Sequence, residues 1–297
     1  MANLDLHGIF PPITTPFIDG KVAYDKLASN VERWNHTGLK GFVVLGSNGE
    51  YVYLSEEEKR KVVETVVQSA DREMQVIAGT GCESTAETLK LTEDCAELGA
   101  HAALVVTPHY YGGRMNEVAL LKHFSELADH SPIPILLYNV PKFTHINMAA
   151  DFVSRLSQHP NIIGLKDSSA NVIQLGEIIN RVDRNFNVMV GTAGVLFSGL
   201  TLGCAGGVCA LANVAPEACV TIFDRVNAGD LDAARGLQLK MIPVNQAVTA
   251  IYGVPGLKAA MDMLGYFGGA PRQPLLPSSG QERSEIEAIL KNADLLN

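Results

Sequence analysis

Eight short apolar runs, separated by stretches of helical periodicity, constrain the fold of this chain more than any other feature. The runs are Gly8–Phe10, Gly41–Leu45, Gln75–Ala78, Ala102–Val106, Pro134–Tyr138, Ile162–Leu165, Asn187–Val190 and Gly206–Cys209. They are continuously apolar rather than alternating, as strands buried on both faces of a parallel sheet must be. Between them, Val62, Val63, Val66 and Val67 share one helical face. Leu120, Leu121, Phe124, Leu127 and Ala128 share a second, and Val172, Leu175, Ile179 and Val182 a third. Capping boxes are expected at Ser55…Glu58 and Ser84…Glu87, and Asn116 is expected to cap the helix after it.

Alternating strands and helices imply parallel pairing. Eight such units within 297 residues favour a closed (β/α)8 TIM barrel over an open doubly wound sheet. Beyond Ala215 the pattern is helical only, interrupted by Pro243, Pro255 and Pro271. Residues 1–225 therefore read as the barrel catalytic domain, and 226–297 as a C-terminal helical extension packed on the barrel or on another subunit.

Composition removes several function classes. A net charge of −9 argues against nucleic acid as a partner. The acidic run Glu56–Glu58 precedes Lys59–Lys61, so Glu56 should pair with Arg60, and Glu57 with Lys61, along a solvated helix face. The five cysteines Cys82, Cys95, Cys204, Cys209 and Cys219 show no C-x-x-C and no zinc-ligand spacing with histidine. They read as reduced thiols in a cytoplasmic protein. The start Met1-Ala-Asn-Leu-Asp5 lacks the basic and apolar regions of a leader. No stretch reaches the roughly 18 apolar residues of a membrane span.

Barrel chemistry lies at the C-terminal ends of the strands. Read from the sequence, those ends carry Thr14 and Thr15, Gly46-Ser47-Asn48-Gly49-Glu50, Gly79-Thr80-Gly81, Thr107-Pro108-His109-Tyr110-Tyr111, Tyr138-Asn139, Lys166-Asp167-Ser168, Gly191-Thr192, and Ala210 with Asn213. One lysine, several hydroxyls and a strand-end tyrosine suit carbonyl chemistry rather than a metal. A buried lysine can attack a ketone, and the resulting iminium is an electron sink for breaking or making a carbon–carbon bond. A nearby tyrosine can move the protons. The plain alternatives are a structural Lys166 paired with Asp167 or a carbonyl, and a packed Tyr138 with a satisfied hydroxyl. The Gly46–Glu50 loop can aim backbone N–H groups at a carboxylate, or can be a simple β-to-α turn. Gly79-Thr-Gly81 lacks the third glycine of a dinucleotide fingerprint.

These motifs resemble the pyruvate-dependent aldolase family of dihydrodipicolinate synthase and N-acetylneuraminate lyase. The likeness spans nearly the whole chain. It is carried by Gly8-Ile-Phe-Pro-Pro-Ile-Thr-Thr-Pro-Phe17, Gly46-Ser-Asn-Gly-Glu50, Tyr138-Asn-Val-Pro141 and Gly164-Leu-Lys-Asp-Ser168. Within the family the chain looks most like 4-hydroxy-2-oxoglutarate aldolase, through Gly79–Thr85, Ser157–Ile162 and Gly206–Val214. The resemblance implies that Lys166 forms the Schiff base and Tyr138 relays protons. It implies that Ser47 and Asn48 hold the pyruvyl carboxylate, with Ser47 in the hydroxyl relay. Tyr110 matches a tyrosine that reaches into the neighbouring subunit's site, and Ser168 and Gly191 lie near the second half of the substrate. The family commonly forms homotetramers, as dimers of dimers, and uses no metal or organic cofactor.

One position departs from the synthases. Where they usually carry an arginine for the carboxylate of aspartate semialdehyde, this chain has Phe143, with Lys142 and Arg114 as possible substitutes. His145 replaces a usual glycine, and His109 has no assigned role. The leading expectation is therefore cleavage of 4-hydroxy-2-oxoglutarate to pyruvate and glyoxylate. The alternatives are 4-hydroxy-tetrahydrodipicolinate synthase, an aldolase for 2-keto-3-deoxy sugar acids, a catalytically silent barrel acting as a sensor, and a metal-dependent aldolase.

Overall fold

The computed structural model describes residues 4–297. Met1–Asn3, the first part of the segment read for leader signals, lies outside the described residues. Eight parallel strands form one sheet: β1 (Gly8–Phe10), β2 (Gly41–Val44), β3 (Gln75–Gly79), β4 (Ala102–Val106), β5 (Ile135–Asn139), β6 (Ile162–Asp167), β7 (Asn187–Val190) and β8 (Gly206–Val208). From β2 to β8 each strand pairs with its sequence neighbours, and β8 returns to β1. The seam between β1 and β2 is closed by the bonds Lys40 N–H to Ile9 O (3.0 Å) and Val43 N–H to Pro11 O (2.9 Å). A parallel bridge joins Pro12 to Val43. The fold is the (β/α)8 barrel that the spacing predicts.

Eight helices surround it: α1 (Tyr24–Trp34), α2 (Glu56–Ser69), α3 (Thr85–Glu97), α4 (Glu117–His130), α5 (Ala150–Leu156), α6 (Val172–Ile179), α7 (Leu196–Leu202) and α8 (Pro216–Asn227). Three more follow, α9 (Leu231–Gln246), α10 (Gly253–Met263) and α11 (Gly280–Asn292). Two layers of buried side chains fill the structure. The inner one, with Phe10, Val43, Ile77, Leu104, Leu136 and Met189, plugs the barrel. The outer one joins strands to helices. Among the described residues no helix is long and apolar enough to cross a membrane.

Several local expectations are refined. Ser55 and Glu58 form the full capping box. Ser84 accepts only the Glu87 N–H, so half of that box is present. Asn116 caps α4 through the Ala119 N–H. Glu56 pairs with Lys90, and Arg60 with Asp94, because α3 lies close enough to offer partners across the helices. The buried side of α6 runs through Gln174, Leu175 and Ile178, not Val172, and the helix ends before Val182. Pro243 does not interrupt the tail but sits inside α9. A widened turn at Ala247–Ile251 follows within four residues, as a helix with a missing N–H donor commonly accommodates it. A small hairpin, Phe17–Ile18 with Lys21–Val22, was not expected. Asp19-Gly20, both at positive φ, is its signal, a two-residue turn of the kind that matches strand twist.

His123 of α4 is buried, with Nδ1 2.9 Å from the Thr85 hydroxyl and its ring edge-on to Phe124. Burial lowers its pKa to about 4. The folded value lies below the unfolded value of about 6.5. Stability is therefore full above about pH 6.5 and falls as the pH drops toward 4, because the unfolded chain takes the proton first. The loss is at most roughly 3 kcal/mol. Urea unfolding at pH 7 and pH 4.5 should show this drop shrinking in His123→Gln; an equal drop in both proteins would place the acid sensitivity elsewhere.

Candidate active site

A cavity of about 900 Å³ opens at the C-terminal end of the strands. Lys166 and Tyr138 face it from adjacent strands at the same register, since Tyr138 of β5 pairs directly with Lys166 of β6. Lys166 belongs to β6 itself rather than to the loop after it, and its side chain is held by the sheet. The residue is 2% exposed. Its Nζ lies 4.0 Å from the centre of the Tyr138 ring.

The structural alternative for Lys166 fails at Asp167. Neighbouring residues of a strand point to opposite faces, and the Asp167 carboxylate turns outward. It accepts from Asn139 Nδ2 (2.8 Å), Gln174 Nε2 (2.9 Å) and the Ser169 N–H (2.9 Å). These neutral donors satisfy the buried carboxylate without consuming the lysine. Among the described residues no carboxylate forms an ion pair with Lys166.

The Tyr138 hydroxyl lies 3.4 Å from Ser47 Oγ. Burial pushes the Tyr138 phenol up. The Lys166 ammonium and hydrogen bonds with Ser47, Lys166 and Ser168 outweigh that and hold it below the ordinary tyrosine range. A phenol so placed can both give and take a proton near the lysine. Tyr51 also lines the cavity, and burial followed by the nearby Tyr138 pushes it up to about 12. It remains a neutral hydroxyl. Burial pushes Cys95, Cys204 and Cys209 up to about 12 as well, so these are packed thiols rather than competing nucleophiles.

Ser47 and Asn48 stand on a single tight turn, Ser47–Gly49. Within it Gly49 and Glu50 return their N–H groups to Gly46 and Ser47. The Asn48 side-chain Nδ2 is buried without a protein partner, a donor that a bound carboxylate would satisfy. Leu45 (φ 58°) and Glu50 (φ 54°) bracket the turn in the left-handed region, which costs a non-glycine residue about 1–2 kcal/mol. Ser168 and Gly191 also line the cavity. A Cβ on Gly191 would lie 2.0 Å from Ser168 Oγ and 2.8 Å from Asp167 O, so only glycine lets these strand ends approach. Gly79 and Gly81 serve the same end. A Cβ there would meet Leu45 O at 2.3 Å and Val106 at 2.6 Å.

Tyr110 is not brought to this cavity within one chain. It is 78% exposed and packs edge-on against Tyr111. His109 does line the cavity. Glu83 secures this loop by accepting the N–H groups of His109 (2.9 Å) and Tyr110 (2.8 Å) and by facing His109 Nδ1 at 3.0 Å. Lys142 and Phe143 are also at the wall, whereas Arg114 is not.

Two contributions escaped the sequence reading. The widened turn Ala247–Ile251 and the start of α10 wall the cavity from the C-terminal extension, and no local motif announces such a long-range contact. Glu50 forms a buried ion pair with Lys258. A lone lysine in the apolar stretch Gly253–Met263 was its only signal. Among the described residues, no group of three or more His, Cys, Asp or Glu is placed to hold a metal ion.

Comparison with known proteins agrees with the geometry. The chain is 40% identical over 97% of both lengths to a 4-hydroxy-tetrahydrodipicolinate synthase of Methanothrix thermoacetophila. It is 36% identical to one of Methanoculleus marisnigri, over 96% of this chain and 98% of the relative. A dihydrodipicolinate synthase of Acinetobacter baumannii, solved with pyruvate, superposes with a TM-score of 0.93 at 30% identity, covering 98% of this chain and 100% of that one. The family model described as the Dihydrodipicolinate synthetase family matches residues 5–293. With the barrel, the family model and whole-length relatives in agreement, this chain is a lyase that belongs to the dihydrodipicolinate synthetase family.

Proposed function

We propose that the chain is a class I aldolase that makes or breaks a carbon–carbon bond at C3 of pyruvate through a Schiff base on Lys166. The observation that carries this is the register pair Tyr138–Lys166, which seats a buried amine beside a phenol and Ser47 at one cavity wall. The lysine amine adds to C2 of pyruvate, and loss of water gives the iminium. Tyr138, through Ser47, takes the proton from the adding amine and returns one to the departing hydroxyl. Loss of a C3 proton then gives an enamine, whose C3 attacks an aldehyde carbon as the aldehyde oxygen takes up a proton, and water hydrolyses the resulting iminium to free Lys166; cleavage is the reverse. Ser47 and Asn48 hold the pyruvyl carboxylate, and Ser168 and Gly191 border the space for the aldehyde. Tyr110 completes the relay of a neighbouring subunit in a homotetramer built as a dimer of dimers. The chain uses no organic cofactor or metal and works in the cytoplasm.

For the aldehyde, the relatives favour aspartate semialdehyde, since those compared carry the synthase name. The expected preference for 4-hydroxy-2-oxoglutarate gains nothing from them and stands second. One observation favours it. Phe143, 54% exposed at the cavity wall, stands where the synthases are expected to hold an arginine. Lys142 is the cation next to it, with Nζ 5.7 Å from the Phe143 ring. The test is direct. Purified protein is supplied with pyruvate and aspartate semialdehyde, and separately with 4-hydroxy-2-oxoglutarate. A kcat/KM at least tenfold higher for the first assigns the synthase, and the opposite ratio assigns the cleavage. In the first case Phe143→Arg should raise kcat/KM for aspartate semialdehyde by roughly 10-fold, as a charge-assisted pair restores about 1.5 kcal/mol or more. No gain would show that Lys142 or another group already holds that carboxylate.

A further inference from the structure

The turn that presents Ser47 and Asn48 is closed by its own backbone bonds from Gly49 to Gly46 and from Glu50 to Ser47, but its ends need further support. Left-handed, non-glycine residues persist at both of its ends only where surrounding contacts enforce them. Those contacts converge on Glu50. Its side chain is 1% exposed, and Oε1 meets Lys258 Nζ, whose side chain is equally buried, at 2.5 Å. Glu50 Oε2 accepts the Arg272 backbone N–H at 2.8 Å. The same Lys258 ammonium donates to the carbonyls of Thr15 (2.8 Å) and Ala270 (3.2 Å), with the Phe17 ring 4.4 Å away. Thr15 in turn donates its hydroxyl to the Gly49 carbonyl at 2.7 Å. Lys258, Glu50, Gly49 and Thr15 thus form a closed circuit. It ties the loop after β1, the turn after β2, helix α10 and the segment before α11 together beneath the cavity.

We propose that the buried Lys258–Glu50 pair is a positioning device that sets the Ser47–Asn48 turn for the carboxylate of a 2-oxo acid, so that the C-terminal extension governs pyruvate affinity. The inference rests on the reading of Ser47 and Asn48 as the carboxylate cradle. Neither Glu50 nor Lys258 touches the reacting atoms in this reading; both act through the turn.

A purely stabilising ion pair behaves differently from a positioning one. Removing one partner strands a buried charge, whereas replacing both by neutral groups of similar volume is commonly neutral or stabilising. The test is therefore the double variant Glu50→Gln/Lys258→Met, with thermal melting beside a titration of pyruvate followed by borohydride trapping. The expected result is a melting temperature near that of the unsubstituted protein, with half-saturating pyruvate raised at least tenfold. The loss of turnover at saturating pyruvate should be smaller. A folded double variant with unchanged half-saturation would overturn the proposal. If the double variant does not fold, Thr15→Val, which removes only the bond to Gly49, carries the same test. A rise of at least threefold supports the device and no rise overturns it. Absence of any pyruvate adduct in the unsubstituted protein is a distinct result, which overturns the Schiff-base reading and this inference with it.

Discussion

Lys166→Ala is expected to abolish the borohydride-trapped pyruvate adduct and to lower kcat/KM by on the order of 10⁴ or more, the scale seen when a covalent nucleophile is removed. The reason lies in how differently the buried lysines are placed. Lys258 is enclosed by Glu50 and two carbonyls, so its ammonium is already satisfied. Lys166 faces the cavity beside a phenol, with Asp167 turned away to its own neutral donors. Lys142 also faces the cavity but lies exposed on the one-turn helix Pro141–Thr144. Peptide mapping of the reduced adduct separates them. A mass increment on the β6 peptide assigns Lys166, and one on Lys142 would overturn the assignment whatever the activity shows. The alanine side chain leaves a void at the barrel mouth rather than in the plugged interior, so the variant should melt close to the unsubstituted protein.

What the sequence disclosed depended on the range of the interactions. Eight buried strands are legible because each must be apolar on both faces, a local property. Lys166 and Tyr138 are legible for a related reason. The barrel repeats one strand–loop–helix unit, so any residue at a strand end falls on the same rim. Glu56 and Arg60 do not pair with each other because the i,i+4 rule ignores neighbouring helices, and α3 supplies Lys90 and Asp94 instead. Pro243 signals a break because its ring and missing N–H oppose a helix, yet α9 continues through it. Glu50 with Lys258 was the least legible feature, since its members lie 208 positions apart. Tyr110 remains outside the single-chain site, because its proposed place is in another subunit and no local pattern describes that contact.

Tyr138→Phe should separate proton transfer from adduct formation. Removing one hydroxyl leaves the Lys166 amine and the carboxylate turn in place, so the pyruvate adduct still forms at equilibrium. Its rate, the exchange of pyruvate C3 hydrogens with solvent deuterium and kcat should each fall by roughly 10²–10⁴, the range of general acid–base contributions. The pH dependence adds a sharper signature. Burial raises the phenol, but Lys166 and the hydrogen-bonding hydroxyls around it bring Tyr138 below its ordinary value. The basic limb of the kcat/KM profile should therefore lie below the usual tyrosine pKa of about 10. Losing the phenol should displace that limb, since the group assigned to it is gone. A Tyr138→Phe variant with unchanged exchange rate and unchanged limb would show that Ser47, Tyr51 or water carries the proton. In that case the packed-aromatic reading of Tyr138, with its hydroxyl merely satisfied by Ser47, would be the correct one.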